Sequence, residues 1–71
     1  MYFRRLKDMR EDSDKTQTEI ADYLGIQQTV YSRYERGYQT IPLQHLIRLA
    51  ELYDVSLDFL CGRTNDPKPI R

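Results

Sequence analysis

A chain of 71 residues has room for one domain with one small core, because a domain of this size buries only about 60% of the surface that its unfolded chain exposes. Its single cysteine, Cys61, excludes an internal disulfide, and its single histidine, His45, leaves no set of side chains for a metal cluster. Eleven basic and eleven acidic residues give a net charge of zero, so charge alone does not indicate a nucleic-acid partner.

The N-terminal segment carries too much charge for an export signal. Arg4, Arg5 and Lys7 interrupt its apolar residues, which excludes both the core of a signal peptide and a membrane span. We therefore expect a cytoplasmic protein with no membrane partner and a reduced cysteine.

The first predicted helix covers residues 2–12, where Phe3, Leu6 and Met9 recur at helical spacing. Side chains at this spacing line one face of a helix, which we expect to pack on the core. The polar run 11–15 closes this helix.

Two short helices joined by a glycine turn follow. Thr16 stands three residues before Glu19, a capping-box spacing that starts a helix over about 17–24. Gly25 ends this helix, because glycine accepts the left-handed conformation that follows a last helical turn. A third helix over about 27–36 begins a few residues later and is stopped by the next glycine. Such a pair is typical of a helix-turn-helix, which places its second helix in the DNA major groove.

The free face of the third helix is polar. It holds side chains that can hydrogen-bond to bases or phosphates, namely Gln28, Thr29, Ser32, Arg33 and Arg36. The charged residues between 26 and 42 are Arg33 and Arg36 against Glu35. This face is therefore positive if an internal partner neutralises Glu35.

A fourth helix is expected to begin at Pro42, since a proline at the first helical position loses no hydrogen bond. Its broad apolar face consists of Leu43, Leu46, Ile47, Leu49, Ala50 and Tyr53. Ser56 can cap a short fifth helix, which Gly62 ends.

The pattern as a whole predicts an all-α fold, a compact five-helix bundle. Residues 1–62 would form the helix-turn-helix domain. The remaining segment, 63–71, contains Pro67 and Pro69 and should be an irregular tail.

Five segments between Phe3 and Asp66 carry a family resemblance. They read R-L-K-D-M-R, T-Q-T-E-I-A-D-Y-L-G-I, S-R-Y-E-R-G, I-P-L-Q-H-L-I-R-L-A and V-S-L-D-F-L-C-G-R-T-N-D-P. With these motifs the chain resembles the lambda-repressor-like DNA-binding domains of phage repressors and Cro proteins, the XRE family. The last motif is similar to the end of short stand-alone members, so we expect a whole regulator.

The resemblance implies which residues meet the bases. Gln27 and Gln28 stand at the start of the recognition helix, and Thr29 and Arg33 occupy the other base-facing positions. The base-reading residues that we predict are Gln28, Thr29, Arg33, Gln27 and Ser32.

The resemblance also implies contacts to the DNA backbone. Gln17, first in the second helix, would reach a phosphate and brace the recognition helix. The predicted phosphate contacts are Gln17, Arg36, Tyr38, Gln39 and Thr40. Family members often carry lysines or arginines directly after the glycine, whereas residues 38–40 are uncharged. Phosphate binding there would therefore rest on backbone donors and hydroxyls.

A structural ion pair is implied in the same way. Arg10 and Glu35 match a paired arginine and glutamate that join the first helix to the end of the third. Such a pair would neutralise Glu35 inside the protein.

The base chemistry is most specific at Gln28, because an amide pairs bidentately with adenine N6 and N7. The alternative is an ordinary solvated glutamine. Arg33 could pair with guanine O6 and N7 or bind a phosphate, and the sequence leaves both open. Thr29 could offer its methyl group to a thymine or be a simple surface residue.

Catalysis has no support in the sequence. There is no glycine-rich phosphate loop and no nucleophile elbow, and Cys61 and His45 fall on separate helices. The six tyrosines are expected in core and boundary positions, apart from Tyr38, a loop residue that could donate to a phosphate. We expect no enzyme, no metal and no cofactor.

The sequence therefore predicts a sequence-specific regulator that binds double-stranded DNA, most simply a repressor that occludes a promoter. We expect a homodimer on a pseudo-palindromic operator, with no small-molecule ligand and with a dimer contact through Phe59, Cys61 and the segment from Arg63. Two alternatives remain open. One is a protein-interaction module whose recognition helix is idle, which the zero net charge favours, and the other is an antitoxin that also regulates its own operon.

Overall fold

Five helices and no strand make up residues 2–69, the part of the chain that this computed structural model describes. The helices are α1 (Arg5–Asp12), α2 (Gln17–Leu24), α3 (Gln28–Glu35), α4 (Leu43–Tyr53) and α5 (Leu57–Leu60). The predicted all-α fold of five helices is confirmed. None of these helices combines the length and the apolar composition that a membrane span requires.

The core takes fully buried side chains from all five helices. The largest of them are Leu6, Ile20, Tyr31, Leu49 and Leu60. They belong to a single cluster, so no helix can leave the bundle without exposing apolar surface, which costs about 25 cal/mol per Å². The bundle thus holds α2 and α3 as one rigid unit.

The corner between α2 and α3 is fixed by local chemistry. Thr16 Oγ1 accepts from the backbone N–H of Glu19 at 3.1 Å, and the Glu19 carboxylate accepts from the N–H of Thr16 at 2.9 Å. The predicted capping box is confirmed. At the other end Gly25 has a φ of 74°, and the N–H of Ile26 donates to the carbonyl of Ala21 at 3.0 Å. This is the closure that a glycine makes possible at a helix end.

Two helix starts differ from the sequence prediction. Helix α1 begins at Arg5 and not at residue 2, because no side chain caps its first turn and Phe3 reaches the core from outside the helix. Pro42 is the N-cap of α4 and not its first helical residue. Its ψ of 149° is extended, although its carbonyl already accepts from the N–H of Leu46 at 3.2 Å.

The buried face of α4 is narrower than predicted. Leu46, Leu49 and Ala50 are buried, whereas Leu43 and Ile47 are 61% and 41% exposed. A helix that packs on one side buries only an apolar stripe, so side chains at the margin of that stripe stay in solvent.

The short helix α5 has the two ends that the sequence predicts. Ser56 Oγ accepts from the N–H of Phe59 at 3.0 Å and so caps the first turn. Gly62 follows the helix with a φ of 82°. The prediction of a serine cap and a glycine stop is confirmed.

The segment that follows α5 has no helix or strand among residues 63–69, but it is tied to the bundle. The N–H of Ser56 donates to the carbonyl of Pro67 at 2.9 Å. From the other side, Arg5 Nη1 donates to the carbonyl of Thr64 at 2.6 Å. The last two residues of the predicted tail lie outside the described residues.

Candidate nucleic-acid interface

One face of α3 is polar and open to solvent. The predicted base-reading residues are accessible there, with Gln27, Gln28, Thr29 and Arg33 exposed and Ser32 half-buried. The opposite face packs into the core through Tyr31 and Tyr34. Because an α-helix fits the major groove of B-form DNA, this exposed face is geometrically suited to reading base edges.

A chain of side-chain hydrogen bonds runs from the exposed start of α3 back to α1. Gln28 Nε2 donates to Gln17 Oε1 at 2.6 Å, and Gln17 Nε2 donates to Glu35 Oε1 at 3.1 Å. Arg10 completes the chain by pairing with Glu35. The bracing contact of Gln17 on α3, which the family resemblance implied, is therefore present.

The ion pair between Arg10 and Glu35 joins α1 to the end of α3. Arg10 Nε lies 2.7 Å from Glu35 Oε2, and Arg10 Nη2 lies 3.2 Å from Glu35 Oε1. A third donor, Arg10 Nη1, bonds to the carbonyl of Lys15 at 2.9 Å. The side chains of Arg10 and Glu35 are only 13% and 2% exposed. The expected pair is thus bidentate and mostly buried.

This pairing decides the charge of the exposed face. Burial by itself would raise the pKa of Glu35, but hydrogen bonds from Arg10 and Gln17 outweigh burial and hold that pKa below its ordinary value. The pKa of Arg10 is raised, chiefly by its hydrogen bond to Glu35. Both groups are charged at neutral pH and offset each other. The other charges at this helix, Arg33 and Arg36, are exposed and positive.

Two tyrosines lie inside the bundle near the same carboxylate. Burial raises the pKa of Tyr31, and the negative charge of Glu35 adds to the shift. The same two causes raise the pKa of Tyr53 to about 12. By contrast, Tyr2 and Tyr23 are 56% and 36% exposed, so the prediction that Tyr38 alone leaves the core and its boundary is wrong. Tyr2 precedes α1 and therefore does not share its buried face.

The loop after α3 is held by the helix end. The N–H groups of Tyr38 and Gln39 donate to the carbonyl of Arg33 at 3.0 and 3.4 Å. The guanidinium of Arg36 lies 4.6 Å from the centroid of the Tyr38 ring and donates to its hydroxyl at 3.3 Å. Two of the backbone donors expected for phosphate are therefore used within the protein. A phosphate contact at this loop would therefore have to use the side chains of Tyr38, Gln39 and Thr40.

The predicted dimer residues meet at the end of α5. Phe59 and Cys61 are half-buried, and Arg63 is exposed. The guanidinium of Arg5 lies 4.1 Å from the centroid of the Phe59 ring and also donates to the Phe59 carbonyl at 2.8 Å. Sequence reasoning did not single out Arg5, because its partners lie more than 50 residues further along the chain and leave no local signal.

The cysteine and the histidine do not build a reactive centre. Burial raises the pKa of the Cys61 thiol, which keeps it protonated and weakly nucleophilic. Among residues 2–69, no three histidine, cysteine or acidic side chains are grouped so that they could hold a metal ion.

A helix-turn-helix whose second helix exposes a polar and positive face defines a class of DNA-binding proteins. Residues 6–60 match the model of the helix-turn-helix family. The chain belongs to this family, the XRE type of helix-turn-helix protein. No solved structure was found that matches the chain.

Curated relatives are named as regulators. The chain is 41% identical to an uncharacterized HTH-type transcriptional regulator of Bacillus subtilis, YobD, over 97% of this chain and 62% of that protein. It is 39% identical to RstR, a transcriptional repressor of the cryptic phage CTXphi of Vibrio cholerae, over 83% of this chain and 53% of that protein. It is 40% identical to the B. subtilis regulator ImmR over 84% of this chain and 47% of that protein.

The chain therefore spans about half of the length of these relatives, from 47% to 62%. The family is that of a helix-turn-helix, and all three relatives are named as transcriptional regulators or repressors.

Proposed function

We propose that this chain binds double-stranded DNA sequence-specifically as a homodimer, with α3 in the major groove of each half of a pseudo-palindromic operator. Binding would repress transcription by occluding a promoter. The mechanism is steric and takes place without a cofactor. That RstR is named a transcriptional repressor supports repression as the simplest outcome.

The observation that carries this proposal is the hydrogen-bond chain behind Gln28. A side chain reads a base only if its amide is held in a defined orientation, since both hydrogen bonds to adenine need a planar approach. Gln17 holds Gln28 at 2.6 Å, and Gln17 is held in turn by Glu35. The exposed end of α3 is thus connected through hydrogen bonds to the buried ion pair.

The remaining polar side chains divide by position into base and phosphate contacts. Thr29, Arg33 and Ser32 share the accessible face of α3 with Gln28 and would meet base edges. The phosphate contacts that we propose are Gln17, Arg36, Tyr38, Gln39 and Thr40. Phosphate contacts fix the register of the protein on the duplex, whereas base contacts supply the sequence preference.

The homodimer is proposed through the end of α5, with Phe59, Cys61 and Arg63 at the contact. Half-buried apolar side chains beside an exposed arginine have the composition of an interface core with a polar rim. A symmetric contact would set the two recognition helices about 34 to 36 Å apart, one turn of DNA.

Selection from a random duplex pool tests the proposal directly. We expect enrichment of a pseudo-palindromic sequence whose half-sites are about 10 base pairs apart. An electrophoretic shift with random-sequence duplex at low salt should show weak binding in addition, because phosphate contacts do not depend on sequence. If the chain shifts neither the selected duplex nor the random-sequence duplex, the proposal of DNA binding is wrong. The alternative, a protein-interaction module, then replaces it.

A further inference from the structure

Tyr2 lies directly against Gly37, the residue that ends α3. A Cβ atom built on Gly37 would come within 3.1 Å of Tyr2 Cβ and Cδ1 and within 3.2 Å of its Cγ. These distances are shorter than ordinary van der Waals contacts, so a side chain at this position would push Tyr2 aside, and glycine here serves close packing as well as its φ of 77°. The N-terminal segment is thereby seated beside the recognition helix.

The Tyr2 side chain remains largely in solvent in spite of this contact. It is 56% exposed, whereas the neighbouring Phe3 packs on the core. Among residues 2–69, the phenol hydroxyl of Tyr2 has no hydrogen-bond partner. Within this part of the chain, the ring is packed at its base while its hydroxyl is left to contact another molecule.

Gly37 joins two of the phosphate contacts proposed above. Arg36 precedes it and Tyr38 follows it, and the two side chains contact each other at 4.6 Å between guanidinium and ring centroid. The loop is fixed by backbone hydrogen bonds to the carbonyl of Arg33. Because Tyr2 contacts Gly37, it lies beside the segment that carries these two side chains.

The zero net charge of the chain makes a neutral hydrogen-bond donor important for DNA binding. A net charge of zero limits the electrostatic part of DNA binding, and residues 38–40 bring no cation to the backbone. Tyrosine hydroxyls are among the neutral groups that donate to phosphate oxygens. We propose that Tyr2, seated on Gly37, donates its hydroxyl to a phosphate of the DNA backbone and extends the interface beyond the helix-turn-helix. This inference rests on the proposed DNA binding.

The variant Tyr2→Phe tests the hydroxyl alone, because the ring that packs on Gly37 is kept. We expect the affinity for duplex DNA to fall about three- to tenfold, the loss typical of one hydrogen bond. The fall should be equal on a selected operator and on an unrelated duplex, since a phosphate contact carries no sequence information. The slope of affinity against salt should not change, because a phenol releases no counterion.

The matched control is Tyr23→Phe, the same change in a second exposed tyrosine. Tyr23 donates its hydroxyl to the carbonyl of Arg48 at 3.1 Å, within the protein, so its loss should leave DNA affinity unchanged. Phosphate ethylation interference adds a positional measurement. Ethylation of one phosphate should weaken DNA binding by the parent protein but not by the Tyr2→Phe variant.

The outcomes separate this inference from the function on which it rests. If the parent binds duplex DNA and Tyr2→Phe binds it equally well with an unchanged ethylation pattern, Tyr2 only covers Gly37, and the inference is wrong while DNA binding stands. If the parent binds no duplex, both are wrong. A fall with Tyr2→Phe on the selected operator alone would show a base contact and would also overturn the phosphate assignment.

Discussion

Glu35 is the residue on which the candidate interface depends most. It is 4% exposed, and its carboxylate accepts from Arg10 of α1 and from Gln17 of α2. A buried carboxylate is tolerated only when such partners replace its hydration. The same group therefore fastens three helices and determines the charge of the recognition face.

A double-mutant cycle measures the ion pair. Arg10→Met should destabilise the protein by about 3 to 5 kcal/mol, because it leaves the Glu35 carboxylate buried without its cation. Adding Glu35→Leu should recover much of this loss. Urea unfolding of the parent, the two single variants and the double variant gives the coupling energy between the two side chains. Strictly additive losses would contradict an interaction between the two side chains.

Acidification should destabilise the protein through the same carboxylate. Since the pKa of Glu35 in the folded protein lies below its ordinary 4.5, its contribution is complete above that pH and is lost as the pH falls through the folded pKa. Thermal unfolding measured from pH 7 downward should show this loss.

The Arg10→Met, Glu35→Leu double variant serves as the control for the acid loss. It should lose less stability on acidification than the parent does. Glu19, whose pKa is also lowered by hydrogen bonds from Thr16, is present in both proteins and cancels from the comparison. Equal acid losses in the parent and the double variant would remove Glu35 from this explanation.

At the scale of the element, α3 has one face that packs in the core and another that we propose for base recognition. Gln28→Ala and Arg33→Ala should scarcely change the melting temperature, because both side chains are exposed. Each should weaken binding to the selected operator by about 1 to 3 kcal/mol and relax the preference at one symmetric pair of positions. A folded double variant that selects the parental sequence with parental affinity would overturn the proposed base reading.

Two further variants test the phosphate side of the interface. Arg36→Ala should weaken all sequences alike and reduce the salt slope by about one unit. Gln17→Ala should weaken all sequences too. The 2.6 Å bond from Gln28 to Gln17 adds a second effect, because its loss frees the amide that we propose as the base reader. Gln17→Ala should therefore also relax the preference at the position of Gln28.

At the scale of the whole molecule, the proposed dimer would set the spacing of the two recognition helices. Phe59→Asp should give a monomer, because it places a charge in the proposed dimer contact. This monomer should stay folded, since the new carboxylate would face the Arg5 guanidinium, which now lies 4.1 Å from the centroid of the Phe59 ring. Sedimentation should show the lower mass, and affinity for a pseudo-palindromic operator should fall. The affinity should fall because each half-site would then be bound by a separate monomer.

The exposed margin of α4 offers the control for this interface. Ile47→Asp should leave the dimer intact, although Ile47 is 41% exposed and apolar. A monomeric Ile47→Asp protein together with a dimeric Phe59→Asp protein would move the contact from the end of α5 to α4.

The sequence by itself determined the order of the helices and the corners between them, though not the starts of α1 and α4, since a cap or a corner depends on residues a few positions apart. The capping box of Thr16, the glycine stop at Gly25 and the cap by Ser56 are examples, and all three are present. The accessible face of α3 follows from the helical period in the same way.

Tertiary packing decided what joins residues that are distant along the chain. The seat of Tyr2 on Gly37, the contacts of Arg5 with the segment after α5, and the bond from Gln28 to Gln17 all depend on how the helices meet. The exposure of Leu43 and Ile47 likewise depends on which neighbours cover α4. Hydrophobic period shows that a face is apolar, but only the packed bundle decides how much of that face is buried.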